Sequence, residues 1–134
     1  MAEQKNNRQF KLHILVTEDN KVNQMVARKL LEKLGCDCSI ANNGQECIDM
    51  LTTHSYDMIL MDCMMPIKDG YEATREIRAA GNTHIPIIAF TAKAMDSDHQ
   101  ACLEAGMNDF IDKPINLNQM TSLLDRWSKK LGKD

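Results

Sequence analysis

No stretch of this chain approaches the roughly 20 consecutive apolar residues that a membrane-spanning helix needs. It has no basic block either. Sixteen Lys and Arg stand against nineteen Asp and Glu, for a net charge of −3, which argues against nucleic-acid binding by charge alone. Residues 1–11 are polar and carry no signal-peptide core. The expectation is a cytoplasmic domain, or the cytosolic part of something larger. There is no internal repeat, low-complexity segment or second-domain boundary. Cysteine is present but odd in number, at five, which argues against a disulfide framework. Cys36 and Cys38 lie two apart on a predicted strand and face the same way, as free thiols. His54 and His99 show no metal-ligand spacing. At 134 residues and 43% hydrophobic, the chain is long enough for one domain with a real core.

What is there is a strict alternation. Apolar runs over Leu12–Thr17, Cys36–Ala41, Met58–Met61, Pro86–Phe90 and Asn108–Ile111 read as strands. Helical patterns separate them. The first covers Lys21–Leu34, with Val22, Met25, Val26, Leu30 and Leu34 spaced for one face and Gly35 as its stop. The second follows Asn43-Gly44 and carries Cys47, Ile48 and Leu51. The third runs from about Tyr71 to Ala80 after Asp69-Gly70. The fourth, Ser97–Ala105, is short and weakly apolar, with Ala101, Cys102 and Ala105. The fifth, Leu117–Leu131, has Asn116 as cap and Gln119 three residues on. Five strand–helix units with right-handed crossovers give an α/β, doubly wound parallel sheet with helices on both faces. The domain is expected over residues 12–131, with solvated tails at 1–11 and 132–134.

The strand ends carry the chemistry. Glu18-Asp19 ends the first run, Asp62 the third and Thr91 the fourth, and Lys113 follows the fifth. In an open parallel sheet these ends share one edge, where such sheets build their sites. Carboxylates, a hydroxyl and an amine gathered there suit a divalent cation and a phosphoryl group. Two unit charges at a separation of roughly 4 Å cost about 4 kcal/mol at an effective dielectric constant of about 20. Grouped acids therefore need a cation, and Mg²⁺ suits carboxylates, waters and phosphate oxygens. Each residue alone has an ordinary explanation. A lone aspartate after a strand commonly turns the chain or caps a helix, and an acidic pair before a helix stabilises its dipole. All of them, in order and each at a strand end, make coincidence a poor account.

The stretches Ile14-Leu15-Val16-Thr17-Glu18-Asp19-Asn20, Met61-Asp62-Cys63-Met64-Met65-Pro66, Asp69-Gly70, Phe90-Thr91-Ala92 and Asp112-Lys113-Pro114 resemble the receiver domain of two-component response regulators. The resemblance implies a flavodoxin-like (βα)5 sheet of strand order 2-1-3-4-5. It implies that Asp62 is the phosphoacceptor, taking a phosphoryl group from a phosphohistidine in a two-component or phosphorelay pathway. Asp19 and Asp62 would bind Mg²⁺ directly, Glu18 would act through water, and the backbone carbonyl of Met64 would be a further ligand. Lys113 and Thr91 would hold phosphate oxygens. Thr91 and Phe110 would form the switch, read out on helix four, strand five and helix five. Helix four, with the weakest apolar face, is expected to be the most mobile element. Such a domain catalyses only its own phosphorylation and a slow dephosphorylation, so it is no enzyme in the ordinary sense.

The pattern Glu18-Asp19-Asn20 with Asn23-Gln24, and Thr91-Ala92-Lys93-Ala94, is most similar to receivers fused to hybrid histidine kinases. The expected partner is a histidine kinase core or a histidine phosphotransfer domain, docking over the first helix, where Val22, Met25 and Val26 lie. Packing of that stripe on the sheet is the reading preferred from its spacing. The resemblance also leaves room for a phosphorylation-dependent dimer. It implies no contact with nucleic acid or membrane by this domain. Several positions depart from the common pattern. Thr17 replaces an aliphatic residue, and Lys68 an apolar one, which would add charge near the docking surface. Met64 and Lys93, two beyond Asp62 and Thr91, are large and ill-suited to orient a hydrolytic water, so self-dephosphorylation should be slow. A haloacid-type hydrolase would need a second aspartate where Met64 stands. A flavodoxin-like cofactor binder would need a Ser/Thr/Gly-rich loop where residues 17–23 are acidic.

Overall fold

The computed structural model describes residues 9–91 and 96–133, with side chains from 99 onward in the second stretch. Among the described residues five strands and five helices alternate. The strands are β1 (His13–Thr17), β2 (Asp37–Ala41), β3 (Met58–Asp62), β4 (Ile87–Thr91) and β5 (Asp109–Asp112). The helices are α1 (Lys21–Lys33), α2 (Gly44–Thr53), α3 (Gly70–Ala79), α4 (Asp96–Ala105) and α5 (Leu117–Leu131). All strand pairs are parallel, in the order β2-β1-β3-β4-β5. The flavodoxin-like order expected from the resemblance is the one observed.

Strand alternation sorts the core into two layers. Ile14, Val16, Met58, Leu60 and Phe90 face a layer closed by α1 and α5. Leu15, Ile59, Met61, Ile87 and Ala89 face the other layer, with Cys47, Ala73, Ile77 and Cys102 from α2, α3 and α4. β3 and β4 are buried along their whole length, which is why they read as continuous apolar runs. Helix starts follow the local chemistry. Asn20, Asn43, Asp69 and Asn116 are N-caps, each accepting from the backbone N–H three residues on. Asn116 and Gln119 form a full capping box.

Three expectations need correction. The buried stripe of α1 is Gln24, Ala27, Leu31 and then Leu34, whereas Val22, Met25 and Val26 are 69%, 57% and 40% exposed. The helical period was right but its phase was not. A polar Gln24 and a small Ala27 occupy the core face, so hydrophobicity alone pointed to the neighbouring stripe. Phe10, assigned to the N-terminal tail, is buried, and its N–H donates to the Leu34 carbonyl at 2.7 Å. The packed domain thus begins before residue 12. Lys68, expected to add charge near the docking surface, has a side chain only 18% exposed, and its ammonium is paired with Glu76.

The loop between β3 and α3 presses against the end of β3. A Cβ on Gly70 would lie 2.3 Å from the Asp62 carbonyl oxygen, and one on Gly44 would lie 2.6 Å from that of Lys68. These glycines are required by close approach, and they let the loop cover the base of Asp62. α4 is held differently from the other helices. Among its described side chains only Cys102 and Ala105 are buried, both small, and Leu103 is 48% exposed. Little apolar area secures it. Amide hydrogen exchange should show the lowest helical protection in α4; equal protection across all five helices would contradict this.

Candidate functional site

Register brings the site together. Thr17 of β1 pairs with Met61 of β3, so the next residues, Glu18 and Asp62, stand side by side. Thr91 of β4 pairs with Asp112 of β5, and the Lys113 N–H donates to the Thr91 carbonyl at 2.8 Å. Each strand therefore delivers its last or next residue to one edge. The Lys113–Pro114 peptide is cis.

The side chains converge as the register demands. Carboxylate oxygens of Glu18, Asp19 and Asp62 lie within 4.8 Å of one another. Glu18 and Asp62 are buried, while Asp19 is exposed. The Lys113 ammonium sits 2.6 Å from Glu18 Oε1 and 3.3 Å from Asp62 Oδ2. It also lies 4.8 Å from the centre of the Phe90 ring, which walls the site. Asp62 Oδ1 accepts from the Met64 N–H at 3.3 Å. Glu18 Oε2 accepts from the Asn20 N–H at 3.0 Å. Because the Asn20 side chain caps α1, the Asp19 carboxylate is not spent on that task.

Electrostatics separate the two buried acids. Burial pushes Glu18 up, but Lys113 and the Asn20 N–H outweigh it and hold the carboxyl below its usual range. Asp62 goes the other way. Burial and the neighbouring Glu18 charge push it up to about 6, against the pull of Lys113. Asp62 is thus an acid that the fold makes costly to ionise. The donor set is all oxygen and carries excess negative charge, which fits a hard divalent cation such as Mg²⁺.

Of the residues singled out from the sequence, Glu18, Asp19, Asp62, Thr91 and Lys113 meet at this edge. Thr91 is buried. Met64 reaches it by its backbone, and its side chain is 73% exposed. Lys93 lies outside the described residues. Phe110 is half-buried on β5 and stacks on His99 of α4. The structural roles of two residues were not foreseen. Gln24 is buried and donates to the Glu18 carbonyl and, at 2.9 Å, to Asn42 Oδ1, tying the acidic loop to the one after β2. Its signal was a polar residue at the core phase of α1. The other is His99, whose stacking on Phe110 no sequence spacing reveals.

A five-stranded parallel sheet with an acidic pocket and a lysine at its strand ends defines a doubly wound α/β domain with its site at the strand ends. The response regulator receiver domain model matches residues 14–125, and the chain belongs to that family. It is 47% identical over 111 residues to hybrid signal transduction histidine kinase I of Dictyostelium discoideum, covering 77% of this chain and 6% of that protein. It is 44% identical, with a TM-score of 0.81, to the receiver domain of a sensor histidine kinase from Pseudomonas aeruginosa, covering 87% of this chain and 97% of that one. That structure has a magnesium ion coordinated in the active site cleft. A chain from the co-crystal structure of the Saccharomyces cerevisiae histidine phosphotransfer protein Ypd1 with the receiver domain of its downstream response regulator Ssk1 is 28% identical, with a TM-score of 0.85 and 92% of each chain covered. The chain spans 6% to 15% of the length of the histidine kinases it matches. It is a receiver domain of the two-component and phosphorelay class, homologous to those of hybrid kinases.

The raised pKa of Asp62 predicts a stabilising substitution. Below the ordinary carboxyl range both folded and unfolded states hold the proton, and nothing is gained by removing the acid. Between the ordinary carboxyl range and about 6 the unfolded chain ionises while native Asp62 still holds its proton, so stability is lost over that window and the deficit is complete above it. Without divalent metal, Asp62→Asn should therefore be more stable than wild type at pH 7.5, by about 1–3 kcal/mol. Urea denaturation across the pH range should show the gain shrinking as pH falls from 6 towards 4. A destabilised variant at pH 7.5 would refute the assignment.

Proposed function

We propose that this domain accepts a phosphoryl group on Asp62 from the phosphohistidine of a histidine kinase core or histidine phosphotransfer domain. The observation that carries the reading is the meeting of Glu18, Asp19 and Asp62 with Lys113 on one strand edge. An Asp62 oxygen forms the new O–P bond as the P–N bond breaks. The imidazole leaves with that electron pair and takes a proton from solvent. Phosphoryl transfer needs mainly positioning and charge neutralisation. Asp19 and Asp62, with the Met64 carbonyl, are the groups that would hold Mg²⁺, and Glu18 would act through water. The ion, when bound, neutralises the acidic cluster and the transferring phosphoryl oxygens. Lys113, already 3.3 Å from Asp62, would donate to one phosphate oxygen and the Thr91 hydroxyl to another. The added charge of roughly −2 draws Thr91 towards it, and Phe110 follows into the space Thr91 leaves.

The partner surface is α1. Val22, Met25 and Val26 form an exposed apolar stripe one turn from the acidic loop, and Met64 and Ile67 are exposed in the β3–α3 loop. The likeness to a receiver crystallised with a histidine phosphotransfer protein supports such a partner. Among the described residues no helix is long and apolar enough to cross a membrane. The reading places the domain in the cytoplasm, as a separate regulator or as part of a hybrid kinase.

Intact mass after incubation with a small phosphodonor tests the site. One phosphoryl adduct should form, requiring both Mg²⁺ and Asp62, and it should be absent from Asp62→Asn. It should decay slowly, since Met64 offers no group to orient water; a half-life of seconds would overturn that part. Absence of any adduct on wild type, from the small donor and from a phosphorylated phosphotransfer domain alike, would overturn the whole.

Docking predicts a separation of two rates. Met25→Asp should slow transfer from a phosphotransfer domain by about tenfold, the scale of a lost interface anchor. Phosphorylation by the small donor should be unchanged. Equal slowing of both would mean that Met25 acts on the fold, not on docking.

A further inference from the structure

We propose that His99 is a positioning residue of the switch: its imidazole clasps the Phe110 ring to α4 and so sets how readily the domain leaves its resting conformation. The inference rests on the reading that Phe110 moves when Asp62 is phosphorylated. It adds a residue that the motif pattern does not contain.

The geometry is specific. The His99 and Phe110 rings are stacked, with centroids 3.6 Å apart and planes within 9° of parallel. His99 Nε2 also faces Asp112 Oδ1 at 3.9 Å. Both atoms are buried and have no hydrogen-bond partner among the described residues. The imidazole thus lies against two β5 residues, Phe110 and Asp112, whose side chains share one side of the strand.

The surroundings make this clasp consequential. Asp112 directly precedes Lys113 and is the register partner of Thr91. A hollow of about 430 Å³, lined by His99, Phe110, Asp112, Gln119, Ser122 and Arg126, opens beside the stacked rings. Arg126 is already paired with Asp109 at 2.8 Å, so Asp112 is the charge that faces the imidazole. Among the described side chains of α4, the buried ones, Cys102 and Ala105, are small and lie towards its C-terminal end. The stack is therefore a substantial part of what joins α4 to β5. For Phe110 to turn inward, this contact must be given up. A two-state element responds to any difference in free energy between its states, and loading of the site responds in turn by linkage.

Beryllofluoride with Mg²⁺, as a phosphoryl mimic, provides the test. The protein carries fluorophenylalanine at its three Phe positions, Phe10, Phe90 and Phe110, and Phe110→Leu assigns the switch resonance. In His99→Ala the resting population of the Phe110 resonance should fall. The beryllofluoride concentration for half-loading should drop roughly two- to tenfold, the equilibrium equivalent of one aromatic stack. His99→Tyr, which keeps a ring and adds no fluorophenylalanine, should return both readouts towards wild type. Asp112→Asn, which keeps shape and loses charge, should move them in the direction of His99→Ala. Unchanged half-loading and resonance populations in His99→Ala overturn the clasp, as does His99→Tyr behaving like His99→Ala. Failure of the wild type to load at all would instead overturn the phosphoacceptor reading, so the two failures are distinguishable.

Discussion

Like charge held together at the end of a buried sheet is the constraint on which the site depends. Parallel register leaves Glu18 no place but beside Asp62, and Asp19 follows it in the chain. Bringing such groups within a few ångströms costs several kcal/mol unless something answers the charge. Lys113 answers part of it, but unequally, at 2.6 Å from Glu18 and 3.3 Å from Asp62. The consequence is a division of labour between two chemically similar acids. Glu18, with the closer ammonium and a backbone N–H, is the settled anion. Asp62, pressed by burial and by Glu18, is the acid left in want of a counter-charge. A group poised in this way gains most from a nearby cation, and the phosphoacceptor role proposed for it would draw on the same destabilisation.

The rest of the fold can be understood as support for that arrangement. Asn20 takes the capping duty of α1, leaving Asp19 exposed and available. Gln24 places an amide in the core so that it can hold the Glu18 carbonyl, and Asn42 links the same amide to the Glu46 carboxylate. Gly70 brings the β3–α3 loop to within contact of the Asp62 backbone. Putting Gln24 on the buried face rotates Val22, Met25 and Val26 outward. The exposed apolar stripe on α1 is thus tied to the device that fixes the acidic loop.

Much of this was legible in the sequence, for physical reasons. Central strands of a parallel sheet are buried on both faces, so β3 and β4 appear as unbroken apolar runs and their ends are easy to place. Chemistry-bearing residues at strand ends then share an edge by topology alone. Asn116 and Gln119 announce the start of α5 by a local rule. The phase of α1 was not legible, because Gln24 is buried for a hydrogen bond and not for hydrophobicity. The place of Phe10 was missed because a single apolar residue in a polar tail shows no period. The pairing of Lys68 was not foreseen because its partner, Glu76, is supplied by tertiary structure. The stacking of His99 on Phe110 is a contact between a helix and a neighbouring strand, with no fixed spacing to reveal it.

The same strand end that completes the acidic site also reaches the far side of the sheet. Phe110, Asp112 and Lys113 lie within four consecutive residues of β5 and its exit. Lys113 faces the carboxylates and shares a backbone hydrogen bond with Thr91, while Phe110 and Asp112 face α4 through His99. A displacement of Lys113 or Thr91 of a few tenths of an ångström cannot be absorbed by β4, which is buried along its length and close-packed. It must be taken up where packing is weakest. That place is α4, whose described buried side chains are the small Cys102 and Ala105. Were Asp62 phosphorylated as proposed, no long chain of intermediates would be needed to carry that charge event to the α4–β5–α5 face. A stiff sheet, one weakly secured helix and a stacked pair of rings between them are sufficient for two discrete arrangements.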